Sequence, residues 1–511
     1  MYGQRHALRS SLALCSLHNP RCLRFLPPVS YRFISTKRPT ALQNSSTPKQ
    51  RRFAVEHVDG REQHISWTSR GGIEKEWKES DLAECPRYTS LTPWESITGR
   101  VSSWFRQMFL PTNYPHSVHP SYARYHIFQF FETTLGTLVS VLCNQALLSS
   151  VGVSAEGSIF GAVAVQWIIK DGAGEIAKLF FIRRFSPYFD SHPKTFNFSG
   201  EAIAYLGSGL QIATLLVNPT PLNFVLCAAG GNIFKLIGNA IWFTTHIKFV
   251  RYFSQQGNVG DVAAKEESQA SIAQLFGYAA GAGLLTVSHS ATYLYSIFFL
   301  SIPIHLITTV YMLRVATFEL LTLPRVTVLA HDFSESDDDT NKGTVMSFAE
   351  METSRRTGVF GEFYKNKRDR CVVLAPTVSQ VVSSGSLDDQ DRWYTCASVF
   401  KDSNYLLYPS PQSPLTTPIS VFYSPSVTSD DMFKSILHAS RLRQHLETFL
   451  PSPESEISHQ SLEVFLDETK VWVDARFDQF KLQLEEKGWR TDELGFADHG
   501  RRVTWYSKDD P

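Results

Sequence analysis

The sequence predicts a mainly α protein: a helical, membrane-embedded or membrane-associated hydrophobic core with a small α+β C-terminal domain. Three observations lead there. Residues 268–313 run for 46 positions without an Asp, Glu, Lys or Arg, and a bilayer-spanning helix needs about 20 apolar residues, so two fit, divided near Ser288-His289-Ser290. A second apolar run covers 126–153 with Glu132 its one charge, and a third covers 201–234 with none after Glu201. Near the C-terminus, Leu462, Phe465, Leu466, Val473, Phe477, Phe480 and Leu484 recur at the 3–4 spacing of an amphipathic helix over His459–Lys487, with Gly488 as its cap.

Charge narrows the class of partner. The 511 residues hold 49 basic and 49 acidic side chains, but residues 1–55 carry ten Lys/Arg and no acid. The remaining chain is therefore acidic overall, which argues against nucleic acid, because phosphate binding needs a concentrated basic face. An Arg- and Ser-rich leader without acids has the composition of a mitochondrial or plastid presequence. Arg32-Phe33-Ile34-Ser35 is similar to a matrix-protease cleavage context. The seven cysteines are scattered, with no CxxC and no close Cys/His pair, so neither a metal cage nor a disulfide framework is expected.

The elements follow in order. FAVEHV and QHISWT flank Asp59-Gly60, a β-hairpin signal. Residues 101–109 (VSSWFRQMF) suit an amphipathic lead-in, either on a membrane interface or on the core. Leu110–Tyr125 holds three prolines and reads as a packed loop. Asn144 and Gln145 fall inside the first apolar run and are expected to be buried, with partners. Lys170-Asp171-Gly172-Ala173-Gly174 admits two readings: a turn between helices, which is the commoner case, or the broken helix that transporters use at substrate sites. If a helix continues instead, Asp171, Glu175 and Lys178 share a face. Asn218-Pro219-Thr220-Pro221 splits the third run into two short halves. Gly157-xxx-Gly161 and Gly277-xxx-Gly281 allow close helix approach.

Beyond Pro324, Asp332–Gly343 is acidic but lacks the glycine and final glutamate of a calcium loop, and it reads as a surface loop. Val372–Val382, Trp393–Tyr408 and Arg502–Tyr506 read as short strands, and Pro409–Ser429 as a linker. GxxxxGK[ST], GxSxG, HExxH and a strand-framed GxGxxG are all absent from the sequence. No metal or cofactor is called for.

Several phrases, in this order, resemble the root UVB sensitive family: LPTNYPHSVHPSYARY (Leu110–Tyr125), QALLSSVGV (Gln145–Val153), WIIKDGAGEIAKLFF (Trp167–Phe181), NVGDVAAKEESQ (Asn258–Gln269) and a closing EEKGW (Glu485–Trp489). The resemblance implies a protein of organelles or membranes, with plant members tied to UV-B sensitivity, seedling development, auxin transport and vitamin B6 homeostasis. It carries no defined catalytic residues.

The expected organisation is a presequence (1–52), a small β element with a polar linker (53–99), the hydrophobic helical core (100–325), a loop-rich segment with short strands and a Ser/Pro linker (326–430), and an α+β end (431–511). The leading expectation is a non-enzymatic mitochondrial membrane protein supporting metabolite homeostasis or transport. Membrane lipid and a protein partner, or an oligomer within the family, are its expected company. Its polar centre would comprise Lys170, Asp171, Gly172, Gly174, Asn258, Asp261, Lys265 and Gln269. The alternative is a soluble helical scaffold whose apolar runs form a buried core and whose C-terminal region binds a partner.

Overall fold

A computed structural model describes residues 52–58, 61–67 and 73–77, and residues 104–508 apart from 155–159, 219, 341–342, 355, 359, 367–368, 383–386, 411–413 and 451–456. The leader, the Asp59-Gly60 turn and Gly157 lie outside the described residues. Near the N-terminus, β1 (Arg52–Val58), β2 (Arg61–Trp67) and β3 (Ile73–Trp77) form a three-stranded sheet in that order. The hairpin strands expected on either side of Asp59-Gly60 are thus neighbours.

The helical part follows the apolar runs. It comprises α1 (Tyr122–Ser154), α2 (Phe160–Phe189), α3 (Pro193–Ile212), α4 (Pro221–Phe253), α5 (Val259–Val287) and α6 (Ala291–Val315). α5 and α6 part at Ser288–Ser290, where the Ser290 hydroxyl accepts the amide proton of Tyr293 and caps α6. Asn218–Pro221 does separate two helices, but neither is a half-span: α4 continues through Lys235 and His246 to Phe253. Packing against α3 and α2 carries the helix across polar positions that a hydropathy count treats as an end. Asn144 is exposed, and Gln145 is half-buried with its amide given to Ser149 (3.1 Å), so neither is a core group.

No turn interrupts α2. It runs unbroken through Lys170–Gly174, and Glu175 pairs with Lys178 on one face. Two glycines cost a helix interior about 1 kcal/mol each. Docking on α4 outweighs that cost: Gly174 sits against Leu236 and Asn232, and Asn232 donates to Lys170 O (3.2 Å).

Glycine sets the closest approach in the bundle. On antiparallel α3 and α4, Gly200 faces Gly238 and Gly207 faces Gly231. A Cβ on Gly207 would meet Gly231 O at 2.5 Å, and one on Gly231 would meet Gly207 O at 2.6 Å. These obstacles are backbone atoms, which cannot swing aside. Gly277 and Gly281 likewise lie against Thr134, Thr137 and Val141 of α1, the close approach their spacing implies.

The C-terminal part departs further from the sequence reading. The acidic stretch at 332–340 is not a loop but the end of α7 (Leu323–Thr340). Its charges are taken up by the tail: Asp332 pairs with Arg356 (2.6 Å), Asp338 with Arg441 (2.7 Å), and buried Asp337 accepts from Trp472 Nε1 (3.1 Å). After α8 (Phe348–Ser354), the stretch 372–382 is a strand only at its start, β5 (Val372–Leu374), and ends in one-turn α9 (Val378–Val381). The stretch expected as a strand over Trp393–Tyr408 is one only at 405–408 and begins inside helix α10 (Leu387–Val399). Cys396, Ala397 and Phe400 bury one side of it, at helical spacing. The Ser/Pro stretch holds a strand within it, β7 (Ile419–Tyr423), the centre of a mixed sheet. β5 pairs with it parallel and β6 (Tyr405–Tyr408) antiparallel.

Helices α10 and α11 (Ser429–Phe449) cover this sheet, and α12 (His459–Glu486) and α7 pack in turn on α11. α12 buries Leu462, Leu466, Val473, Phe477, Phe480 and Leu484, as its periodicity requires, and ends before Gly488 at φ 84°. The last strand is β8 (Arg490–Gly495), parallel to β4 (Leu320–Thr322). Residues 502–506 form no strand, although Val503 N donates to Tyr423 O (2.8 Å).

Two outcomes follow from this packing. Gly207→Ala should destabilise the protein by about 1–3 kcal/mol through overpacking, whereas Gly172→Ala, with open space around its Cα, should leave the melting temperature unchanged or raised. Paired thermal melts of the two variants check this. Inside the tail, His438 is fully buried between Tyr405 OH and Thr469 Oγ1, each 3.0 Å from a ring nitrogen. Burial first, then Lys470 and Lys434, push its pKa down to about 3. An unfolded chain protonates this ring below about pH 6.5 and the native one does not until about 3, so stability falls as pH drops through that window. Urea midpoints at pH 7 and 5 should differ in the wild type and converge in His438→Gln. Equal slopes in both would assign the acid sensitivity elsewhere.

Candidate functional site

α1 places His126, Gln129 and Glu132 on one inward face at steps of three residues, about 9 Å along the axis. Tyr122, Tyr125, Val139, Leu142 and Cys143 continue this buried side, while Ile127, Phe131 and Leu148 point outward. The polar file meets two sets of partners.

The first set comes from α4 and α5. Glu266 Oε1 accepts from Gln129 Nε2 (2.6 Å) and lies 3.0 Å from His246 Nε2 and 3.9 Å from His126 Nδ1. Trp242 stacks on His246 with ring centres 4.3 Å apart, which fixes the imidazole plane. His126 Nε2 and His246 Nδ1 are buried and have no hydrogen-bond partner among the described residues. The cluster can hold or pass a proton, since each histidine keeps one ring nitrogen uncommitted.

The second set comes from α3 and α6. His305 Nε2 lies 2.9 Å from Glu201 Oε2 and 4.0 Å from Glu132 Oε1, and Thr309 donates to Glu132 Oε1 (2.5 Å). The Tyr205 ring stacks on His305 at 4.0 Å. Between the two sets, the fully buried Tyr125 hydroxyl has no hydrogen-bond partner among the described residues and stands in the field of Glu266, Glu132 and Glu201. Of these groups, the sequence marks Glu132, as an isolated charge, and Glu201, as the charge that opens the third apolar run. The i, i+3, i+6 spacing of His126, Gln129 and Glu132 was the readable signal. Their partners on four other helices were not.

The residues expected to form one polar centre fall into two separate groups. Lys170 is buried and pairs with exposed Asp171, whose Oδ1 also accepts from Asn232 Nδ2 (3.3 Å). Gly172 is exposed, and Gly174 is a packing contact with α4. The second group stands at the start of α5 and clamps the end of the helical segment 104–109 and the start of the proline-rich loop. Asp261 Oδ2 accepts from Thr112 N (2.6 Å), Lys265 Nζ donates to Gln107 O, and Gln269 Nε2 donates to Phe109 O (2.6 Å). Asn258 Oδ1 accepts from Ser254 Oγ (2.8 Å) just before the helix. Among the described residues no hydrogen bond or ion pair joins the two groups. The spacing of Asp261, Lys265 and Gln269 puts them on one face, but what that face grips is backbone.

A third polar region ties the bundle to the tail. Glu362 accepts from the amides of Lys194 (2.7 Å) and Thr195 (2.8 Å) and so caps α3. Burial pushes this carboxyl's pKa up, against the lowering by those two residues. Arg325 donates to Phe318 O (2.8 Å), Leu320 O (3.0 Å) and Glu352 (2.8 Å). Tyr252 OH donates to Glu319, beside His119. Burial raises the Glu319 pKa, but hydrogen bonds from His119 and Tyr252 outweigh it and leave a net lowering. Alongside lies a cleft of about 710 Å³ whose wall includes Arg184, His192, Tyr364, Lys365 and Arg370.

Fold and site together define a class: a helical bundle with apolar outward faces, enclosing paired carboxylates and imidazoles, fused to a tail with its own core. The family description "Vitamin B6 photo-protection and homoeostasis domain" matches residues 95–337, and "Root UVB sensitive protein, C-terminal" matches 389–505. Protein root UVB sensitive 6 of Arabidopsis thaliana is 25% identical over 87% of this chain and 85% of its own length, and root UVB sensitive 5 is 25% identical over 75% and 73%. Root UVB sensitive 2, chloroplastic, from the same plant, is 30% identical over 35% of this chain and 40% of its own. No solved structure matches the chain. The chain belongs to the root UVB sensitive family.

Removing the Glu266 carboxylate strands two donors in an apolar interior, a loss of about 3–5 kcal/mol. Glu266→Leu should therefore lower the melting temperature far more than Asp171→Leu at the exposed end of its pair. Similar shifts for both variants would mean that Glu266 is not an organising group.

Proposed function

We propose that this protein is an organellar membrane protein that moves or retains a small polar metabolite, with the α1 polar file as its internal path. One observation carries the reading: the polarity is inverted relative to a water-soluble domain. α1, α4, α5 and α6 each hold a segment long and apolar enough to cross a membrane, and only 17–39% of those segments is buried within the protein. Leu222, Leu226 and Phe243 of α4, Leu275 and Phe276 of α5, and Phe299, Leu300 and Ile307 of α6 face outward. Acids and histidines lie inside. Intramembrane ionisable groups mark ion and substrate pathways, and an apolar exterior of this extent requires lipid or another protein to cover it.

The matched domain's description supports a vitamin B6-related metabolite as the solute. The role is non-enzymatic: the buried groups hold protons and orient a passing ligand rather than attack it. The basic leader supports import into the mitochondrion, and a relative named as chloroplastic makes the plastid the competing destination. Lipid covers the outward faces, with a family member as the protein partner. Lys170 and Asp171 stand on a helix outside the four apolar segments, where they serve as the rim of the bundle.

Carbonate extraction of organelles, followed by immunoblotting of the tail, tests the membrane reading. Retention in the pellet is expected, while release would leave a soluble scaffold. A fusion of residues 1–55 to a fluorescent protein should enter mitochondria, and a plastid or cytosolic signal corrects the location. In a loss-of-function background, Glu266→Gln should abolish rescue while the protein stays folded and targeted. Full rescue by that variant would remove the polar file from the mechanism.

A further inference from the structure

We infer that Glu132, Glu201 and His305 form an enclosed site for one divalent cation of the Mn²⁺, Fe²⁺ or Zn²⁺ type. The inference does not rest on the transport reading, because it concerns a resident of the bundle and not its cargo.

Geometry comes first. Three helices contribute one ligand each, and the three ligand atoms lie within 4.8 Å of one another. The imidazole nitrogen is 2.9 Å from one carboxylate and 4.0 Å from the other. A cation bonded to nitrogen and oxygen at about 2.1 Å spaces its ligands at roughly 3–4 Å, so only small side-chain shifts separate this arrangement from a coordinated one. One imidazole with two carboxylates suits Mn²⁺, Fe²⁺ or Zn²⁺ better than the all-oxygen sets of Ca²⁺ and Mg²⁺.

Charge points the same way. Two carboxylates face a single imidazole, and among the described residues no Lys or Arg pairs with either of them. With both carboxylates ionised, even a protonated His305 leaves one negative charge over, which either a bound cation or a proton on the carboxylate pair offsets. The neighbouring cluster makes the contrast, since Glu266 alone faces two histidines. One further oxygen lies in the same field: the Tyr125 hydroxyl is buried, has no hydrogen-bond partner among the described residues, and feels both Glu132 and Glu201. The supports of a metal site are also in place, because Thr309 holds Glu132 and the Tyr205 ring holds His305. His331, Asp332 and Glu335 also cluster, but they are partly exposed and Asp332 is already paired with Arg356.

The test uses full-length protein in detergent, stripped with a chelator, in a His331→Gln background that removes the competing surface group. Mn²⁺ uptake followed by electron paramagnetic resonance should saturate at one ion per chain. It should be lost in Glu132→Gln/Glu201→Gln. Absence of saturable uptake, or uptake unchanged in a folded double variant, overturns the site and leaves a shared proton between the carboxylates. If the double variant does not fold, Co²⁺ titration of the His331→Gln protein decides. A visible d–d band complete at one equivalent supports the site, and no band in excess Co²⁺ rejects it.

Discussion

Burying carboxylates inside a bundle whose outside is apolar is the constraint on which the rest of the structure depends. A lone carboxylate in such surroundings is expensive, so it must bring its partners with it. Glu266 fixes α5 against α1 and α4 through Gln129 and His246, and Glu132 fixes α1 against α6 through Thr309. α1 touches both sets and acts as the spine. Its position is dictated by where those charges can be satisfied as well as by apolar area. The glycine contacts of α3 with α4 and of α5 with α1 then let the backbones come close enough for the polar side chains to reach.

The bundle and the tail are joined by polar contacts as well as apolar packing. Glu362, which follows α8, supplies the acceptors that the first amides of α3 need. Arg325, at the head of α7, gathers the carbonyls that leave α6. Gly361 takes φ 70°, and a Cβ there would strike the Arg325 guanidinium at 2.4 Å, so this turn admits only glycine. A change in helix packing would therefore be felt at the tail, through a helix cap and a buried cation instead of a flexible linker.

Where the sequence reading failed, it failed for local reasons. Gly172 and Gly174 looked like a break because propensity was judged without α4 to pack against. The acidic run looked like a loop because Arg356, Arg441 and Trp472, which absorb its charge, come from 24 to 135 residues further on. β7 was hidden by flanking Ser, Pro and Thr, though its own five residues are a plain strand pattern. Asp261, Lys265 and Gln269 are expected from the sequence to join Lys170 and Asp171 in one polar centre, yet only coordinates reveal that they hold backbone at 107–112 instead.

The sequence by itself determined the helical character, the parting of α5 from α6 at Ser288–Ser290, the buried stripe of α12 and the family. Each of these is written in periodicity, local chain chemistry or recurring phrases within a short window. Tertiary structure alone decided which charges meet. Glu132, Glu201 and His305 lie up to 173 residues apart on three helices. Nothing in a linear window encodes that proximity, because it arises from helix crossings set by glycine contacts and by the cost of leaving a buried carboxylate alone.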